Sequence, residues 1–207
     1  MADKEIPDII ICRLPRYLRA LIQMAEKKHL TTSSQELGEN LGISAAQIRK
    51  DLSQFGGFGK QGTGYSVPYL IRQVQQILKV DRVWDMALVG MGDLGHALAR
   101  YHGFMDCGFH VTMLFDSDPA KIGTEVGGLV VQDSANLVDL VQNTGLRVAM
   151  ITVPALAAQS VADLLVEAGV KAILNYAPIG LVVPPIVHVQ YIDPVIHLQR
   201  MTYYLPD

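Results

Sequence analysis

The stretch ALVGMGDLGHALARY, residues 87–101, sets an apolar run against three glycines in six positions: Gly90, Gly92 and Gly95. Alone, G-x-G-x-x-G describes many ordinary turns. Its setting here is more specific. VWDMALV, 83–89, is an apolar strand candidate that runs straight into Gly90, and DLGHALARYHGF, 93–104, reads as a helix after it. Strand, glycine turn and helix in that order suit a dinucleotide pyrophosphate: Gly90 makes the tight turn, Gly92 lets the backbone approach the phosphates, and Gly95 lets helix and strand pack closely. The helix start adds free N–H groups and the positive end of its dipole. The loop positions between the glycines, Met91, Asp93 and Leu94, belong to the same cofactor-binding set.

FHVTMLFDSDP, 109–119, is a second strand candidate that ends at Asp116, 26 residues after Gly90. A carboxylate at that spacing accepts hydrogen bonds from the adenosine ribose hydroxyls and repels a 2′-phosphate. Asp118 adds to the repulsion and no arginine is adjacent, which favours NAD(H) over NADP(H). RVAMITVP (147–154), KAILNYAP (171–178) and VHVQYI (187–192) continue as strands, with a helix over 155–169. In a parallel sheet their carboxyl ends form the ligand edge, so Thr152, Val153, Pro154, Asn175, Ala177 and Pro178 are expected at the cofactor. From Asp193 a terminal helix carries an apolar stripe of Val195, Ile196, Leu198, Met201 and Tyr204, which a partner subunit would cover.

Something else occupies the first eighty residues. Residues 1–79 hold eleven Lys/Arg and seven Asp/Glu, a net of +4, whereas the remainder carries −7. A basic front on an acidic back fits a nucleic-acid-binding head. PRYLRALIQMAEKK, 15–28, has helical spacing of Tyr17, Leu18, Leu21, Ile22 and Ala25. In TTSSQELGENLGISAAQIRKDLSQF, 31–55, Ser33 or Ser34 caps one helix and Ser44 the next; Glu36 and Gln47 stand where a capping box wants them, and Gly42 lies between. On the second helix Ala45, Ile48 and Leu52 face inward. Ser44, Gln47, Arg49 and Lys50 are left for the major groove and its phosphates. FGGFGKQGTGYSV, 55–67, reads as a β-hairpin with Lys60 and Gln61 at its tip, the wing of a winged helix that lies along the DNA backbone.

Other classes are excluded on composition. No apolar run reaches the roughly 20 residues of a membrane span, and the N-terminus lacks the order of parts of a signal peptide. Cys12 and Cys107 make no ligand or redox pattern and read as buried, reduced thiols of a cytoplasmic protein. No metal site is expected, because no two of the six histidines have ligand spacing. No nucleophile elbow, P-loop or substrate-polarising base accompanies the glycines, so the nicotinamide is read rather than used, and the chain is not expected to be an enzyme.

RLPRYLR (13–19), QIRKDLSQFGGFGKQGTGY (47–65), GMGDLGHALARY (90–101), FDSDPAKIG (115–123), ITVP (151–154) and LNYAP (174–178), in this order, closely resemble the Rex family of redox-sensing repressors. The resemblance implies an α/β chain: an N-terminal winged helix-turn-helix domain (1–80), a Rossmann-type parallel-sheet domain (81–193) and a swapped C-terminal helix (194–207). It implies a homodimer on operator double-stranded DNA that NADH releases, with NAD+ permissive. By the same likeness Tyr101 stands beside the nicotinamide, and Arg19 and Asp193 form a redox-sensitive pair across the dimer. Asp93 replaces the Asn or Arg usual in the family, and Gly57, Gln61 and Thr63 also depart from its wing. The rival readings are a small NAD-dependent oxidoreductase with an accessory helical domain and a coenzyme A-binding module.

Overall fold

The computed structural model describes residues 6–58 and 64–206. It divides into two units, Met1–Arg82 and Val83–Asp207.

The first unit is helical. Its elements are α1 (Asp8–Ile11), α2 (Leu14–Glu26), α3 (Ser34–Leu41), α4 (Ala45–Leu52) and α5 (Val67–Leu78), with a two-stranded ladder of β1 (Thr31–Thr32) and β2 (Tyr65–Ser66). The inward row of α2 is Leu14, Tyr17, Ala20, Leu21 and Met24, not the row read from the sequence: Ile22 and Ala25 face outward. The helix begins one residue earlier, and 14, 17, 21 and 24 make an unbroken i, i+3, i+7, i+10 line, which buries more apolar surface. These side chains pack with Leu37 of α3, Ile48 and Leu52 of α4, and Val67, Leu70 and Val74 of α5.

Both serine caps form: the Ser33 hydroxyl accepts from Glu36 N at 3.0 Å and the Ser44 hydroxyl from Gln47 N at 3.2 Å. The reciprocal half of each box does not. The Glu36 carboxylate takes the Thr32 hydroxyl at 2.8 Å, and the Gln47 amide turns to Asp51. Gly42 ends α3 in the left-handed conformation at φ 66°. The tip of the expected hairpin, residues 59–63, lies outside the described residues. Tyr65–Ser66 pairs antiparallel with Thr31–Thr32, and residues 55–58 form no strand. Gly64 makes that pairing possible: at φ 76° it lies so close to the Thr32 carbonyl that a Cβ would collide with it.

The second unit is one seven-stranded sheet in the order β5-β6-β4-β3-β7-β8-β9: Glu125–Val126, Leu129–Asp133, Phe109–Asp116, Trp84–Val89, Val148–Ile151, Ala172–Asn175 and His188–Tyr191. All neighbours are parallel except β5 and β6. The chain runs outward from β3 through β4 to β6, then returns to β7 on the other side of β3, so the topological switch point lies beside the end of β3. Helices α6 (Asp93–Ala99), α7 (Leu137–Thr144), α8 (Ala155–Glu167) and α9 (Pro194–Thr202) connect and follow the strands. The sequence reading passed over 124–144. That segment holds β5, β6 and α7, and Gly127-Gly128, both at positive φ, form the two-residue turn between the strands.

Three further expectations change. The helix after the glycine loop stops at Ala99, and a 3-10 turn, His102–Cys107, follows, so His102 is not on it. Both cysteines are exposed rather than buried: Cys12 lies in the short link between α1 and α2, and Cys107 at the end of the 3-10 turn. The terminal helix α9 buries none of its residues, and Val195, Ile196, Leu198, Met201 and Tyr204 are all more than half exposed.

Candidate nucleotide and DNA sites

The glycine loop can be tested position by position. Gly90 sits at φ 102°, its N–H donates to Phe115 O at 2.8 Å, and a Cβ there would meet the Thr152 carbonyl carbon and Val153 Cγ1 at 2.8 Å. A Cβ on Gly95 would run into the Gly90 carbonyl, so helix and turn touch backbone to backbone. Around Gly92 the space is open, which is the position where a pyrophosphate has to approach. The Thr152 hydroxyl donates to Gly90 O at 2.7 Å and Val89 O at 3.0 Å, and so pins the turn to the end of β7.

This turn is one wall of a cavity of about 710 Å3. Gly90, Gly92, Asp93 and Leu94 line one side; Thr152, Val153 and Pro154 line another; Asp116, Ser117, Asp118 and Lys121 form an acidic corner. The volume is that of a site for a ligand of cofactor size, and the cavity opens at the switch point, where ligands bind in open α/β sheets.

Asp116 is 7% exposed and its carboxylate is already well supplied. Oδ2 accepts from Met91 N at 2.6 Å and Lys121 Nζ at 3.2 Å, and Oδ1 from Asp118 N at 2.8 Å. Burial pushes its pKa up, but the two backbone N–H groups and the lysine outweigh burial and hold the carboxyl below its ordinary range. An ionised carboxylate has about four acceptor positions, so the three donors leave room for a hydroxyl. Lys121, also 3.9 Å from Asp118 Oδ2, escaped the sequence reading, which looked only for a neighbouring arginine.

Several expected cofactor residues do not line this cavity. Met91 is buried, its side chain in the sheet core. Gly95 acts through packing. Asn175 is fully buried: its Oδ1 accepts from Ala177 N at 2.9 Å, and its Nδ2 donates to Ala177 O and Ile179 O, so it closes the 175–179 turn with Ala177 beside it and Pro178 outside. Tyr101 is 59% exposed and stands edge-on to Phe104 at 5.0 Å, at a second hollow of about 410 Å3 with His102 and Phe109. The turn that ends α6 carries it away from the glycine loop. Asp193 caps α9, its Oδ1 accepting from Val195 N at 2.9 Å, and Arg19 is exposed on α2.

In the first unit α4 presents Arg49 and Lys50 outward, and Arg49 Nη1 donates to Ser34 Oγ at 2.9 Å. Ser44 is exposed at the start of the helix. Lys60 and Gln61 lie outside the described residues. The residue that sequence reasoning missed is Asp51, fully buried on α4. Arg13 grips it with two bonds, Nε to Oδ2 at 2.6 Å and Nη2 to Oδ1 at 2.8 Å; Tyr17 donates its hydroxyl at 2.6 Å, and Gln47 its amide at 2.7 Å. Burial alone would raise the Asp51 pKa, but Arg13, Tyr17 and Gln47 together hold it below the usual carboxylate range. Burial and the carboxylate push the Tyr17 phenol up to about 12. No sequence spacing connects Arg13 to an acid 38 positions on.

Among the described residues no group of histidines, cysteines and acids could hold a metal ion, and no helix is long and apolar enough to cross a membrane.

Two family models match the chain. "Putative DNA-binding protein N-terminus" covers residues 5–53, and "CoA binding domain" covers 81–179. A redox-sensing transcriptional repressor Rex from Chloroflexus aggregans is 56% identical, with 96% of this chain and 94% of that protein covered. The crystal structure of RSP, a Rex-family repressor, in complex with β-NAD+ and operator DNA matches at 36% identity and a TM-score of 0.92, covering 97% of this chain and 92% of that one. RSP in complex with β-NADH matches at 34% identity and a TM-score of 0.88, covering 96% and 93%. With more than half its residues identical to such a relative over nearly its full length, the chain belongs to the Rex family of redox-sensing transcriptional repressors.

Proposed function

We infer that this repressor binds operator DNA through α4 and NAD(H) in the glycine-loop cavity, and that NADH releases it from DNA. The observation that carries the reading is the match along the whole chain to a repressor captured with NAD+ and operator DNA and, separately, with NADH. The chain is thus a transcriptional repressor and not an enzyme, and the oxidoreductase and coenzyme A readings are not favoured.

In this reading residues 1–80 read DNA, 81–193 bind the nucleotide and 194–207 dimerise. Arg49, Lys50 and Lys60 neutralise phosphates, and with Ser44 and Gln61 they position the backbone and base edges. Gly90, Gly92, Asp93 and Leu94 face the pyrophosphate, and Thr152, Val153 and Pro154 close the opposite wall. Asp116 takes a ribose hydroxyl. The exposed apolar face of α9 is covered by a second copy, and the homodimer works in the cytoplasm, where DNA and the nicotinamide pool meet. Arg19, Asp193 and Tyr101 answer to the nicotinamide charge, which differs between the two redox forms. Arg19 lies on α2, and Arg13, at the start of that helix, is locked to α4 through Asp51, so a displacement of α2 is passed to the recognition helix.

Two ligands that prefer different dimer geometries must weaken each other equally. A change of one or two decades in operator affinity needs about 1.4–2.8 kcal/mol of coupling. The test is operator binding by fluorescence anisotropy at fixed salt, with NADH or NAD+ present. NADH is expected to weaken binding at least tenfold relative to NAD+; equal affinities would overturn the sensor reading. Competition with coenzyme A in the same titration separates the nucleotide classes.

A further inference from the structure

The acidic corner of the nucleotide cavity contains a cation. Lys121 lines the cavity with Asp116 and Asp118. Its Nζ lies 3.2 Å from Asp116 Oδ2 and 3.9 Å from Asp118 Oδ2. The donors on Asp116 are unevenly shared. Oδ2 accepts from both Met91 N and Lys121 Nζ, which fills its two acceptor positions. Oδ1 accepts from Asp118 N and keeps one position. Lys121 has the opposite surplus. An ammonium carries three N–H donors. One of them serves Asp116, and Nζ makes no other hydrogen bond among the described residues. Asp118 Oδ2, at 3.9 Å, is an ion-pair neighbour beyond hydrogen-bond reach.

A ribose presents two hydroxyls on neighbouring carbons, and each can donate or accept. A carboxylate with both oxygens open accepts from the pair, whereas Asp116 has room for one. The other hydroxyl then stands beside the group that closes Oδ2, and that group is a donor. We propose that Asp116 and Lys121 grip the adenosine ribose as an acceptor–donor pair: one hydroxyl donates to Asp116 Oδ1, and its neighbour accepts from Lys121 Nζ. Lys121 is then a ribose-binding and specificity residue and not only a support for the carboxylate. A 2′-phosphate would bring negative charge to one cation flanked by two carboxylates, so the pair selects a free diol. The rival partner for the second hydroxyl is the half-exposed Asp118 carboxylate, which would accept rather than donate. The proposal rests on the reading that NAD(H) occupies the glycine-loop cavity.

The test is isothermal titration of the full-length chain with NADH and with two analogues, whose adenosine ribose lacks either the 2′- or the 3′-hydroxyl. The wild type is expected to bind each analogue roughly fivefold to tenfold more weakly than NADH, the scale of one net hydrogen bond. Lys121→Met should weaken NADH by about fivefold. It should also abolish the penalty of one analogue while the penalty of the other survives. A lysine that only positions Asp116 would not produce this split, because both penalties would shrink together or both would stay. NADPH is expected to bind about tenfold more weakly than NADH or worse, from like charges brought together.

Penalties that move together in Lys121→Met, or do not move, would overturn the proposal. So would a wild type in which deleting one of the hydroxyls costs nothing. A split that appears in Asp118→Ala and not in Lys121→Met would give the second hydroxyl to Asp118. NADPH bound as tightly as NADH would make Lys121 an anion site and would overturn the proposal as well. In each of these cases NADH still binds, so the nucleotide reading stands and only the role of Lys121 falls. If the wild type binds no NADH, that reading falls and the proposal with it. The analogue comparison in the wild type needs no variant, and Lys121→Ala should show the same split if Lys121→Met does not fold.

Discussion

Asp51 and Asp116 are both buried, both ionised and both held by several donors, yet they do opposite things. Asp51 is closed: Arg13, Tyr17 and Gln47 use its capacity, and it is fully buried between α2 and α4. Asp116 is left one position short, its donors are mostly backbone N–H groups and a half-exposed lysine, and it sits at the rim of a cavity. The first carboxylate builds a unit, while the second is built by its unit and stands at a cavity. A saturated carboxylate is architecture, and an unsaturated one at a sheet edge keeps an acceptor position open.

The widest expected gap is in stability. Asp51→Ala leaves the Arg13 guanidinium, the Tyr17 hydroxyl and the Gln47 amide without their common partner. Removing one member of a buried ion pair costs about 3–5 kcal/mol, and the partial exposure of Arg13 places this case at the lower end. Urea unfolding, with hydrogen exchange to assign the loss to α2 and α4, measures it. A cost under about 1 kcal/mol, typical of exposed pairs, would make the two carboxylates alike and break the comparison.

The same network has an alkaline limb. The folded pKa of Tyr17, about 12, lies above its unfolded value near 10. Stability from this group is therefore fully present below pH 10 and is lost as the pH rises toward 12. Two units correspond to about 2–3 kcal/mol, and Tyr17→Phe should remove that limb and leave the curve below pH 9 with the same shape. In acid the sign reverses. The pKa values of Asp51 and Asp116 are depressed, so their contributions hold above about pH 4 and fade as the pH drops through the folded values. Asp51→Asn should flatten the acid loss in the first unit only.

The contrast also explains what could be read in advance. The place of Asp116 was legible because it follows from local chain logic: strand, glycine turn, helix, strand end, each a fixed number of residues apart. The paired caps Ser33 and Ser44 were legible for the same reason. Asp51 was not. It looks like one more charge on the outward face of α4, and two of its three partners, Arg13 and Tyr17, lie 38 and 34 residues earlier. Asn175 failed in a related way: it stands on the ligand edge of the sheet, as expected, but its amide is consumed by its own turn. Position along a strand says which edge a residue reaches, and only the competing donors and acceptors say whether it is free. The hairpin at 127–128 was missed although Gly-Gly between apolar residues is a turn signal, because the strands it joins have two and five residues.

Asp116→Ala tests the other half of the contrast. Loss of a hydroxyl-to-carboxylate bond should weaken NADH by roughly 10- to 30-fold, the low end for bonds to charged groups, while operator affinity without nucleotide stays within about twofold. A fall in operator affinity instead would mean that the two units do not divide the work as proposed. Lys121→Met should act in the same direction but less, since it removes one of three donors to that carboxylate.

A third carboxylate supplies the smallest and most discriminating effect. Asp93 is exposed, lines the same cavity and has no hydrogen-bond or ion-pair partner among the described residues that would neutralise it toward a ligand. It occupies the first turn of α6, where a negative charge favours the helix by about 0.3–1 kcal/mol. A pyrophosphate wants that same helix end, so the side chain and the ligand compete for one positive dipole. Asp93→Asn should therefore lower stability by a few tenths of a kcal/mol and raise NADH affinity by about two- to fivefold, the scale of a screened surface interaction. The affinity gain should shrink between about 0.05 and 0.5 M salt, because the Debye length falls well below the reach of an exposed charge. If the affinity gain is independent of salt, Asp93 acts through shape and not charge. If affinity falls, Asp93 is itself a ligand-holding group, and it does not compete with the pyrophosphate for the helix end.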